Sequence, residues 1–284
     1  MTKANALLLF LLSFISWGAS AQEDAVTKTT DSIVAEGRRL YRREMASWYG
    51  TDLFLEAYTN RDNIGGYFSY TDGALARCVF FSRADQPTVI GSITFDSTYN
   101  TRTAKVDLAE RPFSSEERAL HGIRQATLDL MQSDTLFQSY SNTSFNLIPL
   151  IDGADRKVYV LTGPKREGLV VFGNDYLVRF DGNNAVTGKR RLHRNIIPIE
   201  VAGKDGTEVE STMHAHLPET GDFITATDVC TLMLYGRFTK WKQHSVFSKN
   251  YLNIWNVQTN ELFVMTMEAL ERINEDQKKR HPKQ

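Results

Sequence analysis

Short runs of β-branched and aromatic residues, separated by turn residues, recur along most of this chain and restrict what it can fold into. In the first half they cover 66–70, 76–81 and 88–95, and Asp72-Gly73 and Pro87 between them are typical of an antiparallel meander. Similar runs in the second half cover 157–162, 168–172, 176–180, 195–199, 211–216, 245–247 and 252–255. The pattern predicts an α+β fold, with a mixed, mostly antiparallel sheet and flanking helices.

Helices are predicted around these strands. Apolar residues recur at helical spacing over 24–48, and a Ser114-Ser-Glu-Glu117 capping box opens a second helix that runs to about Gln132. A third helix is expected from Ala226 to about Tyr235, and a closing helix from Glu261 into the charged tail. A weak boundary signal at 141–156 predicts an N-terminal α+β region of unknown role, 22–150, and a C-terminal domain, 151–284.

Charge and composition exclude some classes of protein. The 284 residues include 33 Lys and Arg against 34 Asp and Glu, so the net charge of -1 gives no basic surface for nucleic acid. Because 42% of the residues are hydrophobic, the chain can bury a sizeable core.

The first 21 residues have the three parts of a secretory signal peptide. Lys3 precedes an apolar run over 6–17, and Ala19-Ser-Ala21 is typical of a cleavage site. The alternative, a membrane anchor, is disfavoured because a spanning helix needs about 20 apolar residues. We therefore expect a secreted or periplasmic protein that is cleaved after Ala21 and then has no stable membrane anchor.

The two cysteines, Cys78 and Cys230, both lie in apolar runs. An oxidising compartment permits a disulfide between them, but two inert buried thiols fit the context better.

One stretch, from Met213 to Asp228, carries residues suited to chemistry. On a strand, His214 and His216 point to the same face, which gives two imidazole ligands for a metal such as zinc. A turn at Pro218 and Gly221 followed by a helix would bring Asp228 back to them as a third ligand. The alternatives are a polar strand face and a capping box, Thr225-Ala-Thr-Asp228, that only caps the helix.

This arrangement resembles the JAMM metallopeptidases, also called MPN-domain proteins. Their motif is His-x-His followed by Ser-x-x-Asp, with a catalytic Glu upstream. His214-Ala-His216 matches the pair, and Thr225-Ala-Thr-Asp228 is similar to the second element with Thr in place of Ser. Glu167, followed by a hydrophobic run that ends in Gly173, is similar to the upstream element. The resemblance covers about residues 155–257.

The resemblance implies roles for these residues. Zn²⁺ held by His214, His216 and Asp228 would activate a water molecule, Glu167 would act as the general base, and Thr225 would donate a hydrogen bond to the oxyanion.

The resulting hypothesis is an exported zinc hydrolase that cleaves an amide or isopeptide bond in a peptide or cell-envelope polymer, without a nucleic-acid partner. One alternative is an inactive MPN-like binding or scaffold module. The other is an unrelated α+β fold with no metal site. His193 is not expected to bind metal, because cationic residues surround it in Arg190-Arg-Leu-His-Arg194.

Overall fold

A computed structural model describes the backbone of residues 3–281 and the side chains of residues 23–281 except Lys204. The predicted signal peptide, residues 1–21, lies outside the residues whose side chains are described and stays a prediction. In the part of the chain that was searched, no helix combines the length and apolar character that a membrane crossing requires.

The first half contains one long helix and a meander. Helix α1 (Lys3–Ala57) is followed by the antiparallel strands β1 (Ile64–Asp72), β2 (Leu75–Ser82), β3 (Val89–Phe95) and β4 (Lys105–Asp107), which pair in chain order. This confirms the predicted meander. Helix α2 (Ser115–Ser133) begins at the predicted capping box, in which Ser114 accepts a hydrogen bond from the Glu117 amide.

The middle of the chain forms two sheets. The first sheet contains, in spatial order, β5 (Thr143–Asp152), β6 (Asp155–Pro164), β8 (Tyr176–Phe180) and β9 (Val186–Arg191). The second sheet is the antiparallel pair of β7 (Leu169–Gly173) and β10 (Ile196–Glu200). The β5–β6 hairpin occupies the segment at which the sequence predicted a domain boundary.

The last sheet has the order β11 (Ser211–Ala215), β12 (Gln243–Phe247), β13 (Tyr251–Asn256) and β14 (Glu261–Thr266). Helix α3 (Ala226–Tyr235) lies between β11 and β12 in the chain, as predicted, and this crossover makes β11 and β12 parallel. The predicted helix start at Glu261 is wrong. Residues 261–266 pair with β13, and helix α4 (Met267–Arg280) begins after them.

Helix α1 joins the two halves of the molecule. Its residues Leu40 and Met45 share one core cluster with Ile148 of β5 and Leu234 of α3. The axes of α1 and α3 approach closely at Gly37, where an added Cβ would lie 2.5 Å from Cβ of Val229. This close approach holds the first turn of α3 in a fixed position.

The observed fold class is α+β, as predicted. The strands form four separate, mostly antiparallel sheets rather than a single mixed sheet. The JAMM-like character of the C-terminal half is not established by this architecture.

Candidate metal centre

Four buried side chains converge inside the C-terminal half. They are His193, His214, His216 and Asp228, and one ligand atom of each lies within 4.8 Å of the others. The three residues that the sequence predicted as metal ligands are therefore brought together, and a fourth, His193, joins them.

The separations fit a single small ion. Nε2 of His216 is 3.1 Å from Nε2 of His193 and 3.2 Å from Oδ2 of Asp228. Oδ2 of Asp228 is 3.5 Å from Nε2 of His193, and its Oδ1 is 3.8 Å from Nε2 of His214. A tetrahedron with Zn–N and Zn–O bonds of about 2.0–2.1 Å has edges of about 3.3 Å. The 3.1 to 3.5 Å separations among His193, His216 and Asp228 match such edges, and His214 completes a group whose four ligand atoms lie within 4.8 Å of one another.

Two unpartnered atoms point to the same conclusion. Nε2 of His214 and Oδ1 of Asp228 are buried and make no hydrogen bond. A buried polar atom without a partner costs about 1–3 kcal/mol. A cation between these atoms would satisfy both of them. The group could therefore hold a metal ion, although the geometry alone does not identify the element.

His193 is positioned by hydrogen bonds between two loops, the one between β7 and β8 and the one between β9 and β10. It lies between β9 and β10, where the Leu192 amide donates to the Asp175 carbonyl at 2.8 Å. The Asn174 amide donates to the Asn195 carbonyl at 3.1 Å. These two bonds fix both ends of the short segment that carries His193.

The alternation of β11 positions the other two histidines. Thr212 and His214 face the interior while Ser211, Met213 and Ala215 are exposed, so the predicted common face is present. His216 follows the strand, and its amide donates to the Phe247 carbonyl at 2.7 Å. This bond continues the β11–β12 pairing and keeps the His216 ring on the same face.

Asp228 has two roles at the N-terminus of α3. The Thr225 hydroxyl accepts a hydrogen bond from the Asp228 amide at 3.1 Å, and Oδ2 of Asp228 accepts from the Thr225 amide at 2.9 Å. The capping box that the sequence offered as an alternative is thus present. It holds the Asp228 carboxylate facing the imidazoles, so capping and metal binding are compatible.

A further set of polar groups orients the imidazoles. Nδ1 of His193 is 2.7 Å from Oδ1 of Asp175. Nδ1 of His214 is 2.8 Å from Nε2 of His244, whose own Nδ1 is 2.7 Å from the Thr212 hydroxyl. With Nδ1 engaged in this way, Nε2 of both histidines is turned to the centre, as is usual for histidine ligands of metals.

The pKa values favour a neutral imidazole at the candidate ligand His214 and at His244, which supports it. Burial lowers the pKa of His214 to about 4 and that of His244 to about 3. Burial also acts to lower the pKa of His193, but the Asp175 and Asp228 carboxylates outweigh it and raise that pKa well above its usual value. Burial opposes ionisation of Asp228, yet His193 and His214 hold its pKa well below the ordinary range.

The charge of the cluster matches a divalent ion. Asp175 and Asp228 contribute two negative charges when ionised, and neutral imidazoles contribute none. A divalent cation would balance these carboxylates, whereas one protonated His193 balances only one of them. Burying uncompensated charge costs several kcal/mol per ion, so this balance matters in a site of such low exposure.

The centre is closed to solvent. The side chains of His193, His214, His216 and Asp228 are 4%, 2%, 0% and 1% exposed. Five of the cavities on the described part of the chain have volumes of about 520 to 730 Å³, and none of these five has the four residues in its wall. Four protein ligands without an open position are typical of structural zinc sites.

The two residues expected to act on a substrate are placed differently. Glu167 is exposed in the turn between β6 and β7, at the opposite end of β7 from Gly173, and is not brought to the centre. Thr225 lies beside Asp228, but its hydroxyl donates to Oδ2 of Asp228 at 2.8 Å. The hydroxyl proton of Thr225 is therefore engaged by the Asp228 carboxylate.

Sequence reasoning missed His193. Its neighbours Arg190 and Arg194 are exposed, so their charges point into solvent and not toward the imidazole. The partner that supports it, Asp175, is 18 residues earlier in the chain. This contact depends on two strand pairings, β8 with β9, which places Tyr176 opposite Arg191, and β7 with β10, which places Gly173 opposite Ile196.

No known protein family, curated protein or solved structure matches this chain. The resemblance to the JAMM family therefore rests on the motif residues alone.

Proposed function

We propose that this protein binds one Zn²⁺ ion at the centre formed by His193, His214, His216 and Asp228, and that the ion is structural. The observation that supports this proposal most directly is the convergence of four buried ligand atoms within 4.8 Å of one another. The ion would tie the loop before β10, strand β11 and helix α3 together. The protein then serves as a binding or scaffold module whose C-terminal half depends on metal.

Metal analysis of the purified full-length chain tests this proposal. We expect one zinc per chain, and removal by a chelator should lower the melting temperature. A ligand at 100 times its dissociation constant stabilises a protein by about 2.7 kcal/mol, which corresponds to roughly 5–10 °C for a chain of this size. Zinc should restore the melting temperature.

The variants His214→Ala and Asp228→Asn should lose both the bound zinc and the response to it. His281→Ala, in the exposed tail, is the matched control and should keep both. The proposal would be contradicted if the purified wild type held far less than one zinc per chain and added zinc did not change its melting temperature.

A second candidate is the zinc hydrolase that the JAMM resemblance implies. It is favoured by a cavity of about 710 Å³ whose wall includes Leu192 and Thr225, the neighbours of the ligands His193 and Asp228. Cobalt substitution separates the two candidates. Azide should leave the visible spectrum of a closed centre unchanged, whereas an open catalytic position would bind azide and shift the spectrum.

The N-terminal residues support export as part of the proposal. N-terminal sequencing of the mature protein should begin at Gln22. A mature protein that retains Met1 would show that residues 1–21 are not a signal peptide.

A further inference from the structure

A second cavity, of about 630 Å³, lies away from the metal centre. Leu169 and Val170, at the start of β7, form part of its wall. Phe172, near the other end of that strand, contacts His214 with ring centroids 5.1 Å apart. The strand therefore separates the cavity from the metal centre, and the proposed metal does not account for it.

Three aromatic side chains from different elements form one wall. Trp48 of α1 lies 5.3 Å from Tyr235 and 6.4 Å from Phe238, between ring centroids. Phe238 is 61% exposed, which is unusual for a large aromatic side chain in a folded protein. The cavity thus has an aromatic wall, and the Arg237 guanidinium lies over one face of the Phe238 ring, 4.6 Å from its centroid.

Polar groups also line the cavity, and a glycine leaves space beside them. A Cβ added to Gly163 would lie 3.3 Å from Nδ2 of Asn146, 3.6 Å from the Tyr235 hydroxyl and 3.9 Å from the Ser144 hydroxyl. Gly163 lies in β6 and its φ is not positive, so the backbone does not require glycine there. The missing side chain instead leaves room beside three uncharged hydrogen-bonding groups.

A buried carboxyl group supports one of these polar groups. Glu44 is 4% exposed and its side chain hydrogen-bonds that of Asn146. Burial raises the pKa of Glu44 to about 7, with the Asn146 bond opposing the rise. Glu44 itself is not in the cavity wall. The aromatic wall and the convergent polar groups are the features of a small-molecule site.

We propose that this cavity binds a neutral saccharide unit. A sugar ring presents C–H groups on its faces, which pack on aromatic rings, and hydroxyl groups at its edges, which suit amide and hydroxyl partners. The rim residues Lys165, Arg166 and Glu167 carry both signs of charge, and Arg166 is paired with Glu200. With Arg166 paired, Lys165 and Glu167 offset each other, so the rim selects neither an anion nor a cation.

Titration of the full-length protein with chitotriose and cellotriose tests the proposal. Trp48 reports the cavity, because the other described tryptophans, Trp241 and Trp255, are only 3% and 0% exposed. We expect at least one of the two sugars to change the tryptophan emission with half-saturation at or below about 1 mM.

Matched variants localise the effect. Phe238→Ala should weaken sugar binding by about tenfold or more with an unchanged melting temperature. Gly163→Ala should also weaken it, because the new methyl group crowds Asn146. Phe263→Ala is the control: that ring is 58% exposed but lies on β14, away from the cavity, and its removal should leave binding unchanged.

Three outcomes would overturn the proposal. They are the absence of any titration with either sugar up to about 10 mM, wild-type affinity in Phe238→Ala, and saturable binding of tetramethylammonium in place of the sugars. Zinc content is a separate readout, so failure here leaves the metal proposal intact.

Discussion

At the scale of single residues, Asp175 has the clearest indirect role at the metal centre. It contacts Nδ1 of His193 at 2.7 Å, and both side chains are 4% exposed. A carboxylate in this position fixes the orientation of the imidazole and raises its basicity. Asp175→Asn should therefore weaken zinc binding by about 10- to 100-fold while the protein still folds.

Competition with a chromophoric chelator measures this change. Asp155→Asn serves as the control, since Asp155 is 43% exposed and pairs with Lys157 and Arg179, neither of which is a ligand. Equal zinc affinity in Asp175→Asn and the wild type would exclude the positioning role.

Glu44 makes stability depend on pH. Its pKa is about 7 in the folded protein against 4.5 for an ordinary glutamate, so folding favours the neutral carboxyl. The stability this provides is complete below about pH 4.5 and is lost as the pH rises through about 7. Relative to Glu44→Gln, the wild type should lose up to about 3 kcal/mol of unfolding free energy between about pH 4.5 and 8.

Urea denaturation at several pH values measures that difference. Glu271→Gln, at an exposed position of α4, should follow the wild type at every pH. Parallel curves for the wild type and Glu44→Gln would show that folding does not raise the pKa of Glu44.

At the scale of elements, Gly173 connects the sheet pair β7–β10 to the metal centre. Its φ is +74°, and an added Cβ would lie 2.2 Å from the Asn195 carbonyl oxygen. Gly173→Ala should therefore displace the segment that carries His193. We expect a loss of about 1–3 kcal/mol in stability together with weaker zinc binding.

Thermal unfolding and the same chelator competition measure both effects. Gly182→Ala is the matched control, because an added Cβ there meets nothing within 4 Å and φ is not positive. If Gly173→Ala bound zinc like Gly182→Ala, the β7–β10 pairing would not determine the position of His193.

The end of the chain shows how local patterns mislead at this scale. Residues 261–266 precede a charged helical tail. From the sequence, we therefore predicted one continuous helix that begins at Glu261. In the structure Leu262 lies opposite Trp255 of β13, in the cluster that also contains Val246. Pairing with an existing strand outweighs local helix propensity, which is a weak preference.

At the scale of the whole molecule, α1 makes the two halves interdependent. Leu40 and Met45 pack in one cluster with residues of β5 and α3, so neither half has a complete core by itself. We expect one cooperative thermal transition, with calorimetric and van't Hoff enthalpies that agree.

Zinc removal should move this entire transition to lower temperature. Scanning calorimetry of the holo protein and of the chelated protein measures it. Two separate transitions, of which only one responds to zinc, would show instead that the halves unfold independently.

Three of the four candidate ligands could be predicted from the sequence, because local backbone geometry determines how their side chains are placed relative to one another. Strand alternation places His214 and His216 on one face, and a capping box orients Asp228 at the start of α3. The same local signals predicted the α+β class, the meander and α2. Each of these depends on residues that are near one another in the chain.

Only the tertiary structure decided the rest. His193 reaches the centre through the β7–β10 pairing, and Glu167 is kept from it because it lies at the other end of β7. Helix α3, which carries Asp228, packs closely against α1 from nearly 200 residues away. Contacts between distant segments are set by the free energy of burying the whole core, and no short window of sequence contains that information.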